Sequence, residues 1–233
     1  MATVVLLRHG RTSANADGVL AGWSDVGLDE TGTQQAKAVA ERLRGVPLKG
    51  LYSSPLPRCR QTIGAVAEGR PDLAVTPDDR LGECRYGDWE GRKISELVGE
   101  DLWRVVQVHP SAAVFPGEAA EPLAVTAARG VAAVRELDAT VAAEHGPDAV
   151  WLACSHGDVI KAIVADALGM HLDLFQRIVV EPCSLTVIRY TPLRPFLVRL
   201  NDIGGDLTGL VAPIGHNRSS DAAVGGGSDG ADV

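Results

Sequence analysis

The run Val4-Val5-Leu6-Leu7-Arg8-His9-Gly10-Arg11-Thr12 decides how this chain is read. Four consecutive apolar residues without alternation predict a strand buried on both faces, as in a parallel sheet. A strand buried on both faces cannot carry Arg8 and His9 unless they emerge at its C-terminal end, the edge where open α/β sheets bind ligands. Gly10 allows a sharp turn and a close approach of ligand to main chain. An imidazole, a guanidinium and free backbone N–H groups therefore gather at one place, and that place suits an anion.

Outward from this run, two other stretches repeat its logic. A strand around Gly50 to Tyr52 leads into Ser53-Ser54-Pro55-Leu56-Pro57 and a helix opening near Pro57, a residue type favoured in the first turn. Arg58 then sits at a helix N-terminus just past a strand end. Val150 to Cys154 is a second buried run, and it breaks into Ser155-His156-Gly157 before a helix begun by Asp158. Between these blocks, Ser13 to Gly27 reads as a loop whose one large side chain is Trp23. A helix follows, with Asp29 or Thr31 as N-cap and Ala36, Val39, Ala40 and Leu43 as its apolar stripe. Leu73 to Thr76 predicts a short strand, Leu81 to Gly91 an ordered loop, and Ile94 to His109 one or two short helices. Leu123 to Glu144 is the longest helical pattern, with Val131, Val134, Leu137 and Val141 on its apolar face. Leu185 to Tyr190 and Phe196 to Leu200 read as two last strands forming a hairpin.

Length and composition fit one α/β domain, residues 1–203 of the 233. From Gly204 onward the chain is rich in Gly, Ser, Ala and Asp, with too little apolar surface to offset its ordering entropy, so 204–233 is expected to be a mostly disordered tail. Lys and Arg total 22 against 30 Asp and Glu, a net charge of −8, which argues against nucleic acid or an anionic membrane as partner. No run approaches the ~20 apolar residues of a membrane span. The charged pair at Arg8 and His9 comes too early for a signal peptide, and Cys59, Cys84, Cys154 and Cys183 form no C-x-x-C pair. A cytoplasmic location with reduced thiols is the expectation. A homodimer is left open.

Three strand ends thus bring Arg8 with His9, Arg58 and His156 to one sheet edge, and the loop carrying Glu83 can close over them. Arginine forks match phosphate oxygens, and helix N-termini add oriented N–H donors. A neutral imidazole can act as nucleophile. Glu83 can protonate a leaving oxygen if its pKa rises well above the ordinary ~4.3. This set transfers phosphoryl groups with no metal and no cofactor. His9, His156 and Glu83 would make a metal ligand set, but Arg8 and Arg58 repel a divalent ion and favour a dianion. A phosphate-binding or scaffolding protein on the same fold is the non-enzyme alternative.

Four ordered blocks carry a resemblance: Arg8-His9-Gly10 with Thr12 and Asn15; Ser53-Ser54-Pro55-Leu56 with Arg58 and Thr62; Leu81 with Glu83 and Gly87-Asp88-Trp89-Glu90-Gly91; and Ser155-His156-Gly157. In these the chain resembles the histidine phosphatase superfamily, which includes the cofactor-dependent phosphoglycerate mutases. The resemblance implies a three-layer α/β/α sandwich with a mostly parallel central sheet. It implies His9 as the phosphorylated nucleophile, Glu83 as proton donor, and His156 beside them. Arg8, Asn15, Arg58 and Gly157 would hold the substrate phosphate, and Thr12, Trp23 and Arg85 are candidate pocket walls. The activity implied is that of a histidine acid phosphatase-type phosphomonoesterase acting on a small phosphorylated metabolite, with phosphomutase as the alternative. Two departures weigh against a glycolytic mutase. Ile94 to Pro116 carries only Arg104 and His109 as cationic groups, and the turn Phe115-Pro116-Gly117-Glu118-Ala119 lacks the hydroxyl that often follows its Glu in relatives.

Overall fold

The computed structural model describes residues 1–205; all but Gly204 and Gly205 of the expected tail lies outside the described residues. Six strands form one sheet: β1 (Thr3–Arg8), β2 (Leu48–Ser53), β3 (Val75–Pro77), β4 (Val150–Ser155), β5 (Leu185–Arg189) and β6 (Phe196–Asp202), in the order β3-β2-β4-β1-β5-β6. The first four run parallel, whereas β5 pairs antiparallel with β1, and β6 antiparallel with β5. The sheet is therefore mixed but mostly parallel, with helices on both faces, and the last two strands form the expected hairpin.

The unalternating apolar run of β1 is explained by two cores. Val4 and Leu6 face one of them with Trp151, Ala153 and Ile188; Val5 and Leu7 face the other with Leu152, Cys154 and Leu185. Helices α2 (Glu30–Leu43) and α3 (Pro57–Ala67) cover the second face through Ala36, Val39, Leu43, Ile63 and Val66. On the first face lie α5 (Asp101–Val108), α6 (Leu123–His145) and α7 (Gly157–Ala167). Of the two candidate caps for α2, Asp29 is the one used: its carboxylate accepts the Gly32 N–H at 2.7 Å.

Several expectations shift. The stretch read as a loop from Ser13 contains a single helical turn, α1 (Ser13–Ala16), because Thr12 and Asn15 cap each other's backbone N–H. The short third strand, expected over Leu73 to Thr76, starts two residues later and ends one later, at Val75–Pro77. Within Leu81 to Gly91 the ordered loop includes a 3-10 turn at Gly87–Trp89, and Ile94 to His109 resolves into α4 (Ile94–Leu97) and α5. Along α6, Val134 and Val141 are buried as expected, but Val131 and Leu137 are only partly so. Gly130 and Asp138 take the inward positions instead. A Cβ on Gly130 would meet Val159 at 2.9 Å, so glycine lets α6 and α7 approach. Asp138 is buried because two donors meet it, Ala2 N–H at 2.9 Å and the Trp151 indole at 3.1 Å.

Register sets up the site. Arg8 is the Cα partner of Ser155 across β1 and β4, and Ser53 that of Cys154 across β2 and β4. The residues following each strand, His9, Ser54 and His156, are thereby forced onto one edge.

Candidate active site

Arg8, His9, Arg58, Glu83 and His156 come together at that edge, each at most 4% exposed. Burial of charge to this degree is rare without partners; here main-chain carbonyls, the Cys84 N–H and the Ser54 hydroxyl supply the hydrogen bonds, and the five groups act on one another through charge. The His9 ring stands 5.1 Å from the His156 ring, tilted by 58°. His9 Nδ1 lies 2.8 Å from the Gly10 carbonyl oxygen. A carbonyl only accepts, so Nδ1 carries the proton and Nε2 is left with its lone pair. Burial, then the charges of Arg58 and Arg8, hold this imidazole well below the ordinary histidine range. His9 is thus neutral and oriented.

The turn after His9 has no slack. Gly10 N–H donates to Thr62 Oγ1 at 3.0 Å, and Thr62 donates in turn to the Arg58 carbonyl at 2.7 Å. A Cβ on Gly10 would come within 2.7 Å of the Gly32 carbonyl oxygen, so the start of α2 requires glycine there. From the other side Cys183, with φ of 56°, offers its N–H to the carbonyls of Arg8 at 3.1 Å and His9 at 3.2 Å. A left-handed conformation in a residue with a side chain is strained, and here it anchors the nucleophile's own backbone.

The guanidinium groups are held by carbonyls rather than swinging free. Arg58 donates to the Ser24 and Gly22 carbonyls at 3.1 and 2.6 Å, and Arg8 to the Val180 carbonyl at 2.6 Å. The expected two-pronged grip on phosphate is in this way partly committed to positioning the forks. The buried Arg58 Nε has no hydrogen-bond partner among the described residues. His156 pairs through Nε2 with the Ser54 hydroxyl at 2.7 Å; burial, then Arg58, His9 and Arg8, push its pKa well down. Helix α7 begins at Gly157 immediately behind it, adding the positive end of a helix.

Glu83 accepts the Cys84 N–H at 3.0 Å. Burial first and Asp158 second raise its pKa to about 7, against the opposing pull of the Cys84 N–H, Arg58 and Arg8. Near neutral pH it can therefore hold a proton to give. Asp158 belongs to a buried group that sequence reasoning missed: Tyr86 donates to its carboxylate at 2.7 Å, and Lys161 Nζ stands 4.0 Å away. All three were ordinary helix or loop positions by pattern; only the fold shows them buried. Tyr86, next to Arg85 in the chain, is fully buried.

The remaining candidates are placed less directly. Thr12 is buried and spends its hydroxyl on Asn15 at 2.9 Å, while Asn15 Oδ1 also takes the Thr12 N–H at 3.1 Å. Thr12 acts as a cap, and the Asn15 oxygen is used up locally. Trp23 donates its indole N–H to the Glu83 carbonyl at 2.5 Å, and the Arg85 guanidinium lies 3.5 Å over its ring. Both border a cleft of about 340 Å³ together with Asp88, Glu90 and Glu118. Neither Arg104 nor His109 lines it. Among the described residues no three His, Cys, Asp or Glu side chains converge as metal ligands, and no helix is long and apolar enough to cross a membrane.

Comparison with known proteins bears on this geometry. The family model described as histidine phosphatase superfamily (branch 1) matches residues 4–203. A probable phosphoglycerate mutase GpmB from Photorhabdus laumondii is 30% identical over 218 residues, 91% of this chain and 97% of that one. Among solved structures, the mycobacterial glucosyl-3-phosphoglycerate phosphatase in complex with VO3 superposes with a TM-score of 0.74 at 30% identity, covering 85% of this chain and 98% of that chain. Phosphoserine phosphatase from Entamoeba histolytica, in complex with 3-phosphoglyceric acid, gives a TM-score of 0.75 at 25% identity, over 87% and 98%.

Proposed function

The chain belongs to the histidine phosphatase superfamily, branch 1, and from that premise we propose that it hydrolyses a small phosphomonoester through a phosphohistidine on His9, without a metal ion. The observation that carries this reading is the 2.8 Å contact of His9 Nδ1 with the Gly10 carbonyl oxygen, which calls for the proton on Nδ1 and leaves the Nε2 lone pair to attack, with two buried guanidinium groups acting on the ring. His9 Nε2 attacks phosphorus, the bond to the leaving oxygen breaks, and Glu83 gives that oxygen its proton. Water then attacks the phosphohistidine, Glu83 takes the proton back, and inorganic phosphate leaves with the imidazole restored. Arg8, Arg58, Gly157 and the neutral His156 bind the equatorial oxygens, with Asn15 at the periphery. Fixed cations aimed at developing charge are the largest contribution such a site can make.

Hydrolysis is favoured over mutation by the cleft outside the pocket. A mutase must grip a second phosphate while its bisphosphorylated intermediate turns over. Here the cleft presents Asp88, Glu90 and Glu118 against the single guanidinium of Arg85, itself laid on Trp23. A second phosphate meets net negative charge there, so water wins the phosphohistidine. The small phosphorylated substrate is accordingly a monoester whose leaving group brings no further anion.

Rapid quench with 32P-labelled p-nitrophenyl phosphate should trap an acid-labile, base-stable phosphoenzyme that is absent in His9→Ala. Label surviving in His9→Ala would remove the nucleophile assignment. Isomerisation of 3-phosphoglycerate, stimulated by 2,3-bisphosphoglycerate and outrunning hydrolysis of every ester tried, would make the protein a mutase instead.

A further inference from the structure

The segment that carries Glu83 belongs to no strand. It follows β3 and a 3-10 turn at Asp79–Leu81, and its main chain is held by side chains from elsewhere. Four successive carbonyls, those of Arg80, Leu81, Gly82 and Glu83, each accept a side-chain hydrogen bond. Ser155 at the end of β4 takes Leu81 at 2.7 Å. One residue of α6, Arg129, takes the other three: Nη1 donates to Arg80 at 2.8 Å and Gly82 at 2.6 Å, and Nη2 to Glu83 at 2.7 Å.

Arg129 is itself fixed. Its Nη2 and Nε donate to the two oxygens of Glu121 at 2.5 and 3.1 Å, in the planar pairing that only a guanidinium offers. Both side chains are largely buried, at 17% and 13% exposure. Burial pushes the Glu121 carboxyl up, but the hydrogen bonds and charge of Arg129 outweigh it and hold the group below the ordinary range. Glu121 closes the circle: its Oε1 accepts the Arg85 N–H at 3.1 Å, and its own N–H donates to the Arg85 carbonyl at 3.0 Å. Residues 80–85 are thus gripped at both ends by one ion pair, with Glu83 in the middle.

We propose that Arg129, oriented by Glu121, is a positioning residue for proton transfer: it fixes the main chain under Glu83 so that the carboxyl meets the leaving oxygen. This rests on reading Glu83 as the proton donor. No lysine could replace Arg129, since a single ammonium has three donors and no plane with which to serve three carbonyls and a carboxylate together. Neither residue hydrogen-bonds His9, Arg8 or Arg58; the charge of Arg129 reaches only His156, where it is the weakest of the influences that lower the imidazole's pKa, and it acts on both classes of ester alike.

The test compares esters that need a proton with esters that do not, using the full-length protein and single-turnover formation of the phosphoenzyme. For Arg129→Met the rate from an alkyl phosphomonoester should fall roughly ten- to a hundredfold, while that from p-nitrophenyl phosphate should stay within about threefold. Hydrolysis of the phosphohistidine itself, which also uses Glu83, should slow as well. Should Arg129→Met fail to fold, Arg129→Lys and Glu121→Gln carry the same test with a smaller loss. An alkyl-to-aryl ratio equal to the parent's in these variants, whether both rates drop together or neither does, overturns the proposal. Glu83→Gln run in parallel separates the two layers: if it too leaves the ratio unchanged, Glu83 is not the donor and the premise has failed rather than the clamp.

Discussion

The two halves of the candidate site are built by different physics. The nucleophile half, with Arg8, His9 and His156, hangs from adjacent parallel strands, and the β1–β4 register sets its spacing before any side chain is chosen. The acid half, with Glu83, lies on a turn and is placed by Arg129, Glu121, Trp23 and Ser155, four side chains from distant parts of the chain. Sheet hydrogen bonding tolerates most substitutions; a side-chain clamp is lost with one. The halves also differ in charge. Burial next to guanidinium groups keeps the histidines unprotonated, whereas burial beside Asp158 lets Glu83 hold its proton up to about pH 7. One buried edge thereby holds a base and an acid at the same pH, the separation that acid–base chemistry needs.

The contrast breaks most visibly at Arg58. Arg58→Ala should lower phosphoenzyme formation by about 10²–10³ for alkyl and aryl esters alike, because the developing charge on phosphorus is common to both. A loss confined to alkyl esters would place Arg58 in the acid half. Arg58→Lys should not rescue, since the Gly22 and Ser24 carbonyls hold the two ends of a fork.

A smaller effect should follow at Asp158. The groups acting on Glu83 are Asp158, which raises its pKa, and the Cys84 N–H, Arg58 and Arg8, which lower it. In Asp158→Asn the raising charge is gone, so Glu83 ionises at lower pH. The basic limb of the alkyl-ester profile should therefore move down in pH, costing several-fold in rate at pH 8, while the nitrophenyl profile holds its place. A limb that stays put would show that Asp158 does not set the acid.

The smallest effect is one of stability. Folding raises the Glu83 pKa to about 7 from an ordinary 4.5. Its favourable contribution is thus complete below the unfolded value and is lost as pH rises through about 7. Above that, the fold carries a buried carboxylate. Glu83→Gln should consequently melt higher than the parent at pH 8, and the gap should close as pH falls toward 5. An equal or lower melting temperature at pH 8 would mean that Arg8 and Arg58 already compensate the charge.

What was readable in advance follows the same division. The edge cluster of Arg8, His9, Arg58 and His156 was legible because each sits one or two residues past a buried run or at a helix start, where local pattern predicts position. Glu83 was legible through its block of neighbouring residues. Glu118, in the turn with the missing hydroxyl, is exposed; Glu121, three residues on, makes the ion pair. No periodicity distinguishes them, because the distinction is made by Arg129 arriving from α6.

By itself the sequence determined the strands, the sheet edge at which chemistry gathers, and the residue types that chemistry requires, since all of these are written in runs shorter than a dozen residues. The tertiary structure decided which proton state each group adopts and which way it points. The left-handed Cys183, the buried Tyr86–Asp158–Lys161 group and the Glu121–Arg129 clamp all depend on segments far apart in the chain meeting where water is excluded. Desolvation and through-space charge are properties of that meeting, and no local pattern of residues carries them.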